Sequence, residues 1–111
     1  MNLSFNGFNE NVLTFEADST LTKAGVPVKF TQDGKVAPCA AGDRICGFAV
    51  NVREGYAAVQ LKGYVQTMVQ GTLGFGWQTV AAAENGRITA DSDGTQVLVV
   101  TVDNDTAGII L

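Results

Sequence analysis

The residues that could carry chemistry in this chain begin with its two cysteines, Cys39 and Cys46. A nucleophilic thiol needs a base that removes its proton, and the sequence contains no histidine. The cations nearest to Cys39 in sequence are Lys35 and Arg44, a spacing that gives no reason to expect a lowered thiol pKa. A structural zinc site would need further cysteine or histidine ligands. We therefore expect two unpaired, unreactive thiols, with a disulfide as the less favoured alternative.

Acidic and glycine-rich segments supply weaker candidates. Asp91-Ser92-Asp93-Gly94 begins like a calcium loop, but an EF-hand needs a glycine at its sixth position and a glutamate at its twelfth, where this chain has Val102. The segment from Gly71 to Gly76 lacks the Lys-Ser/Thr pair of a phosphate-binding loop. The eleven acidic residues offer no evident glycosidase pair. The sequence therefore predicts no catalytic residue, no metal site and no cofactor, and a protein that is not an enzyme.

The charge distribution argues against two classes of partner. The net charge is −4, and the seven basic residues are scattered, without the cluster that would release counterions from a nucleic acid. No apolar run reaches the roughly 18 residues of a membrane span, and no signal peptide opens the chain. We expect a protein that folds in a cytoplasm and binds neither nucleic acid directly nor a membrane.

Short groups of Val, Ile and Leu between thirteen glycines predict strands and turns. We expect strands over residues 12–17 and 26–30, with Pro27 at an edge or at the start of its strand. Asp33-Gly34 is typical of a hairpin turn. Later strands are expected at 57–61, at 63–69 and at the C-terminal end, and a hairpin tip before Tyr56. Residues 1–11 are predicted to form an extended arm, and residues 12–111 a single β domain.

An internal repeat is the most informative feature. Asp33-Gly34-Lys35-Val36 recurs as Asn85-Gly86-Arg87-Ile88, an offset of 52 residues. Keeping that offset without a gap pairs Gly42 with Gly94, Ile45 with Val97, Cys46 with Leu98, Phe48 with Val100, and Val50 with Val102. Two copies over about 25–60 and 74–111 indicate a two-fold barrel or clip, not a solenoid. The predicted fold is therefore all-β: a small β-barrel or β-clip-like domain with two pseudo-repeated halves and an extended N-terminal arm.

Strand alternation assigns faces to the larger side chains. Leu98, Val100 and Val102 are predicted to share one face, and both faces of this strand are apolar, which favours a strand between two layers or at an interface. Phe15, Phe30 and Phe48 are expected in the core, together with Cys46 as a small hydrophobe.

Other aromatic residues suit contacts with a partner. Core packing and interface anchoring are equally favoured for Tyr56 and Trp77, since both residue types are common interface anchors. Leu3, Phe5 and Phe8, in the asparagine-rich arm, cannot easily reach a small core. Such an arm could add a strand to an exposed sheet edge of another protein.

Four segments resemble the capsid cement, or head decoration, proteins of tailed bacteriophages. These segments are Ala24-Gly25-Val26-Pro27-Val28, Asp33-Gly34-Lys35-Val36, Gly42-Asp43-Arg44-Ile45-Cys46-Gly47-Phe48-Ala49, and Ala57-Ala58-Val59-Gln60-Leu61-Lys62-Gly63. The resemblance covers residues 20–111 and is carried by small residues, not by a catalytic signature. The N-terminal arm does not match the pattern.

The resemblance implies a homotrimer on the outer capsid surface of the virion, assembled in the bacterial host cytoplasm. Its partner would be the major capsid protein, whose subunits it would clamp together. On this hypothesis Leu3, Phe5 and Phe8 contact the capsid, and Tyr56 and Trp77 lie at an oligomer interface.

Two alternatives remain open. A small-molecule or carbohydrate-binding β-clip module predicts a concave pocket with convergent polar groups. A tail-tube or baseplate subunit predicts rings or polymers in isolation.

Overall fold

A computed structural model describes residues 11–111, which contain ten β-strands and one short 3-10 turn, Glu84–Gly86. The first half of the molecule, residues 11–62, comprises β1 (Asn11–Ala17), β2 (Pro27–Gln32), β3 (Lys35–Pro38), β4 (Gly47–Arg53) and β5 (Tyr56–Lys62). The second half, residues 63–111, comprises β6 (Tyr64–Met68), β7 (Gly76–Ala82), β8 (Ile88–Ala90), β9 (Thr95–Asp103) and β10 (Thr106–Ile110). The predicted all-β fold class is confirmed. The predicted arm, with Leu3, Phe5 and Phe8, lies outside the described residues except for Asn11, which begins β1.

The first half is a closed five-stranded barrel in the order β1-β3-β2-β4-β5. It closes because β1 pairs antiparallel with β5 on one side and parallel with β3 on the other. The predicted β2–β3 turn is present, with Gly34 at a φ of 68°. Pro27 opens β2, as predicted, but β2 lies between β3 and β4, so the edge position considered for it is wrong.

The second half repeats this barrel with one seam nearly open. Strands β6 to β10 correspond in sequence order to β1 to β5. Their order in the sheet, β6-β10-β9-β7-β8, is that of the first barrel, except that β6 and β8, the counterparts of β1 and β3, lie at the two ends of the sheet and do not pair as strands. Between these two ends a single parallel bridge joins Val69 to Ile88. The first half pairs Ala17 with Val36 at the equivalent place, 52 residues earlier. The two pseudo-repeated halves are therefore present in the structure.

The register of pairing corrects the ungapped alignment of the halves. Residues 28 and 38 pair as residues 80 and 90 do, an offset of 52. Residues 48 and 60, however, pair as residues 98 and 110 do, an offset of 50. The connection before β9 is shorter than the one before β4. The counterpart of Phe48 is therefore Leu98, not Val100, and the counterpart of Val50 is Val100, not Val102.

A β-bulge corrects the predicted faces of β9. Its pairing with β10 slips between Val99 and Thr101, so Val100 is the extra residue. Beyond the bulge Val102 packs against the core, on the same side as Val97 and Val99. Leu98 and Val102 therefore do not share a face, although simple alternation predicts that they do.

The core consists of two clusters, one of which crosses between the halves. The first barrel is filled by a small cluster: Leu21, Val28, Val36, Ala49, Ala57 and Val59. The second cluster lies in the second half but also contains Ile45 and Phe48 from the first. Phe48 is only 1% exposed, because its ring packs among second-half side chains. This cluster, which we call the shared core, joins the two halves into one hydrophobic unit.

Two residues expected in the core lie elsewhere. Phe30 is exposed, because β2 pairs with β4 only at Pro27 and Val28 and the rest of the hairpin loses that neighbour. Its ring packs edge-on against Phe15, which is half-buried, with centroids 5.0 Å apart. Cys46 is also exposed, since it precedes β4, and Ile45 beside it is the buried residue.

Candidate interaction surfaces

The acidic turn at residues 91–94 is a surface turn, as predicted. The Asp91 carboxylate accepts a hydrogen bond from the Asp93 amide at 2.9 Å, and the Asp91 carbonyl accepts one from the Gly94 amide at 3.0 Å. Through these hydrogen bonds Asp91 stabilises the conformation of its own loop. Among residues 11–111 no three His, Cys, Asp or Glu side chains lie together as metal ligands.

Both cysteines are free thiols, as predicted. Burial, with a smaller contribution from the nearby Asp43 carboxylate, raises the pKa of the Cys39 thiol to about 12. The Cys39 Sγ lies 3.8 Å from the Arg44 carbonyl oxygen and packs at the margin of the shared core. The thiol is therefore protonated at neutral pH, the form that is not a nucleophile.

An ion pair stabilises the loop between β3 and β4, which contacts the second half. Lys29 Nζ donates to the Asp43 carboxylate at 2.7 Å, and the Ala40 amide donates to the same carboxylate at 2.8 Å. The Lys29 bond, followed by the Ala40 bond, lowers the pKa of Asp43. The loop backbone then pairs with β7: the Gly42 amide donates to the Ala82 carbonyl at 2.8 Å, and the Ala82 amide to the Asp43 carbonyl at 3.0 Å.

A cavity of about 380 Å³ lies at the junction of the halves. Its walls include Ile45, Phe48, Val80, Val97, Ile109 and Leu111, with Lys62, Thr95 and Gln96 among the polar lining residues. Most of these aliphatic side chains also belong to the shared core. The cavity therefore lies directly beside the shared core.

The two aromatic residues left undecided by the sequence both lie on the surface. Tyr56 is 58% exposed at the start of β5, and Trp77 is 66% exposed at the start of β7. Core packing is therefore excluded for both. Each stands on a different half of the molecule, and each borders a distinct surface.

Trp77 begins a line of apolar side chains across the outer face of the second half. Direct pairings connect Trp77 to Leu98, Leu98 to Ile110, and Ile110 to Tyr64. Directly paired residues on neighbouring strands project on the same side of a sheet. The neighbouring line, Gly76, Val99, Ile109 and Val65, faces the core instead. We call Tyr64, Trp77, Leu98 and Ile110 the apolar row.

The first half has the counterpart of this row, in which Pro27, Phe48 and Gln60 are buried and Val12 is 43% exposed. Phe48 pairs with Gln60 as Leu98 pairs with Ile110. Phe48 is buried in the shared core, and Gln60 is 5% exposed, its amide donating to the carbonyls of Lys62 and Tyr64, each at 3.0 Å. In the second half the equivalent side chains are half-buried, and Trp77 beside them is exposed.

A shallow depression of about 330 Å³ marks the outer face of the first half. Its lining residues are Thr14, Asn51, Arg53, Glu54, Tyr56 and Ala58, from β1, the β4–β5 hairpin and its turn. We call it the Tyr56 depression.

The charges of the two halves differ. Residues 11–62 contain six of the seven basic residues against five acidic ones, whereas residues 63–111 contain only Arg87 against five acidic residues. The net charge of the whole chain does not show this difference, because the first half is nearly neutral and the second is acidic.

Sequence reasoning singled out Trp77 and Tyr56 but missed the rest of the apolar row. Leu98 was placed on a strand predicted to lie between two layers or at an interface, and Ile110 was predicted only as part of a final strand. The offset of 50 residues between the two halves would have identified them, because it makes Leu98 and Ile110 the counterparts of Phe48 and Gln60.

Residues 11–111 include no helix with the length and apolar character needed to cross a membrane. No family model matches the chain, and no curated protein or solved structure matches it either.

Proposed function

We propose that this protein is a structural virion component, a capsid decoration protein that binds the outside of a phage head. As a homotrimer assembled in the bacterial host cytoplasm, it stabilises contacts between subunits of the major capsid protein. The observation that carries the proposal is the exposure of large apolar side chains on both halves, with Tyr56 and Trp77 more than half exposed. Trp and Tyr are residue types that commonly anchor surfaces that bind other proteins.

The physical logic of the proposal needs contact surfaces and no reaction. A closed oligomer touching several capsid subunits gains avidity, because each further contact forms at high effective concentration. The resemblance of residues 20–111 to head decoration proteins also supports the proposal. The small-molecule or carbohydrate-binding alternative would use the cavity at the junction, where Lys62, Thr95 and Gln96 lie among mainly aliphatic walls.

The direct test is co-sedimentation with capsids formed by the major capsid protein of the same phage. We expect the purified protein to pellet with the capsids in a saturable ratio and to stay in the supernatant without them. No saturable pelleting with either unexpanded or expanded capsids would overturn the proposal.

The arm provides a second test, although it lies outside the described residues. Deletion of residues 1–9 is expected to abolish capsid binding while leaving the β fold intact, as judged by circular dichroism. A variant with Leu3, Phe5 and Phe8 all changed to serine should behave in the same way. Normal capsid binding by both variants would contradict the predicted role of these residues.

Solution mass separates the remaining alternative. A decoration protein is expected to stop at a closed trimer, three times the 11.6 kDa chain mass. A tail-tube or baseplate subunit would instead form larger rings or open polymers, which light scattering distinguishes from a trimer.

A further inference from the structure

We propose that the cavity at the junction of the halves binds an amphipathic anion, an aliphatic chain that ends in a carboxylate. The chain lies between the apolar walls, and the carboxylate lies at the opening beside Lys62 and Arg44. This site goes beyond the proposed function, because it needs neither a capsid nor a second copy of the protein. Its test uses the isolated chain, so either proposal can fail without the other.

The size of the cavity suits a small ligand. Its volume of about 380 Å³ falls within the range of roughly 300–1,000 Å³ that is usual for ligand pockets. Apolar cavities of about 150 Å³ are already large enough to hold a benzene molecule. Ligand pockets also occur preferentially where two structural units meet, as the two halves do here.

The buried walls of the cavity are aliphatic. Ile45, Val80, Val97 and Ile109 line it, are at most 8% exposed and belong to the shared core. These side chains offer an occupant no hydrogen bond, so a hydroxyl placed against them would lose its bonds to water without replacement. An aliphatic chain has no such group, and its transfer from water to these walls is favourable. The walls therefore favour an apolar chain as the buried part of the ligand.

Polar residues mark the opening of the cavity. Cys46, Lys62 and Gln96 line it and are exposed to solvent. Among the described residues that line the cavity, no side chain is acidic. An anionic head group at the opening therefore lies beside a cation, without a lining carboxylate side chain to repel it.

A second cation lies next to the opening. Arg44 Nε donates a hydrogen bond to Thr95 Oγ1 at 3.4 Å, and Thr95 lines the cavity. Within residues 11–111 the only salt bridge joins Lys29 to Asp43, so neither Lys62 nor Arg44 has an acidic partner there. A carboxylate accepts charge-assisted hydrogen bonds from both types of cation. This charge complementarity makes a carboxylate the expected head group.

Backbone hydrogen bonds fix the segment that carries Arg44 and Cys46. The Ala82 amide donates to the Asp43 carbonyl at 3.0 Å, and the Cys46 amide donates to the Val28 carbonyl at 2.9 Å. These bonds attach the segment to β7 at one end and to β2 at the other. The opening is therefore formed before a ligand arrives, which reduces the entropy lost on binding.

Calorimetric titration of the isolated chain with sodium octanoate is the first measurement. We expect saturable binding of one octanoate per chain and a raised melting temperature. Acetate has the head group without the chain, and 1-octanol has the chain without the charge. Both should bind at least about 10-fold more weakly than octanoate. No saturable binding of octanoate, or an equal affinity for 1-octanol, would overturn the proposal.

Cys46 reports where octanoate binds, because this residue lines the opening. At about ten times its dissociation constant, octanoate should slow the alkylation of Cys46 by iodoacetamide about 10-fold. Acetate at the same concentration should leave the rate unchanged. Mass spectrometry of timed digests measures both rates. An unchanged rate at saturating octanoate would show that the ligand does not occupy this cavity.

Variants separate the contributions of charge and walls. Lys62→Met and Arg44→Gln each remove a cation and should raise the dissociation constant of octanoate about 10-fold, without changing that of 1-octanol. Leu61→Trp enlarges a half-buried wall residue and should abolish the binding of both ligands.

Lys23→Met and Arg53→Gln are the matched controls, because both residues are exposed and neither lines the cavity. Both control variants should keep the wild-type affinity for octanoate, and unchanged melting curves would verify that all the charge variants fold. Wild-type affinity in both Lys62→Met and Arg44→Gln, or an equal loss of affinity in the controls, would refute the proposed position of the carboxylate.

Discussion

The two thiols of this protein have unequal environments. Cys39 is half-buried with its pKa raised to about 12, whereas Cys46 is exposed. Since alkylation requires the thiolate, we expect iodoacetamide at pH 8 to modify Cys39 at least about 100-fold more slowly than an ordinary exposed thiol. Mass spectrometry of timed digests would show Cys46 modified first, and Cys46→Ser would isolate the slow reaction. Equal rates at the two positions would contradict the buried environment of Cys39.

Asp43 gives the stability a specific pH dependence. Its pKa is lowered in the folded state by the bonds from Lys29 and the Ala40 amide. A lowered folded pKa contributes stability that is fully present above the unfolded value, near 3.8, and is lost as pH falls through the folded value. Asp43→Asn should therefore lower the urea midpoint at pH 7, with a difference that shrinks as the pH falls below about 4. Asp33→Asn, at an exposed turn, is the control. A difference that is independent of pH would contradict this role.

Single residues were the hardest part of the structure to predict. Alternation along a strand says which side chains share a face, but not what covers that face. Phe48 was correctly expected to be buried, yet it lies in the core of the other half. Phe30 occupies a similar strand position and is exposed, because its hairpin loses a neighbouring strand. Those outcomes depend on tertiary contacts that no local pattern encodes.

Among the elements, turns and strands were the easiest to predict. Asp33-Gly34 and the glycine before Tyr56 mark hairpins whose geometry requires positive φ, and both are present. The bulges at Val50 and Val100 were not predicted, because no residue type is required at such a position. The two halves differ in loop length by an even number of residues, which preserves the inward and outward faces of β4 and β9. An odd difference would have exchanged those faces.

Gly94 makes a testable contribution to the start of β9. A Cβ at this position would collide with the backbone carbonyl of Val80, which belongs to β7 and cannot rotate away. We expect Gly94→Ala to destabilise the protein by about 1–3 kcal/mol, the usual cost of overpacking. Ser92→Ala, in the same exposed turn, should change the stability by less than about 0.5 kcal/mol. Urea denaturation measures both, and equal stabilities would show that β7 and β9 are less closely packed there.

At the scale of the whole molecule, the shared core couples the two halves. Phe48 belongs to a strand of the first barrel, but its side chain packs among second-half side chains. Phe48→Ala should therefore cost about 3–5 kcal/mol and lower a single unfolding transition of both halves. Val50→Ala, an exposed residue of the same strand, should be nearly neutral. Calorimetry that resolves two separate transitions in the wild type would contradict the coupling.

The global architecture was predictable in outline only. The repeated Asx-Gly segments revealed two halves, and short apolar groups identified an all-β chain. Barrel closure in the first half and the single-bridge seam in the second depend on long-range pairing, which an offset between motifs does not specify. The apolar row could not be distinguished from core positions, because Leu98 and Ile110 resemble any other buried strand residues in sequence.

The burial of Phe48 by the following half has a consequence for how such a molecule could arise. A polypeptide carrying one unit would present that ring to water, and association with a second unit would bury it. Joining two units in tandem tethers the required neighbour, so this association no longer depends on concentration. Duplication thus buries the apolar surface around Phe48 within each chain and leaves the equivalent surface, at Leu98 and Ile110, accessible to other proteins.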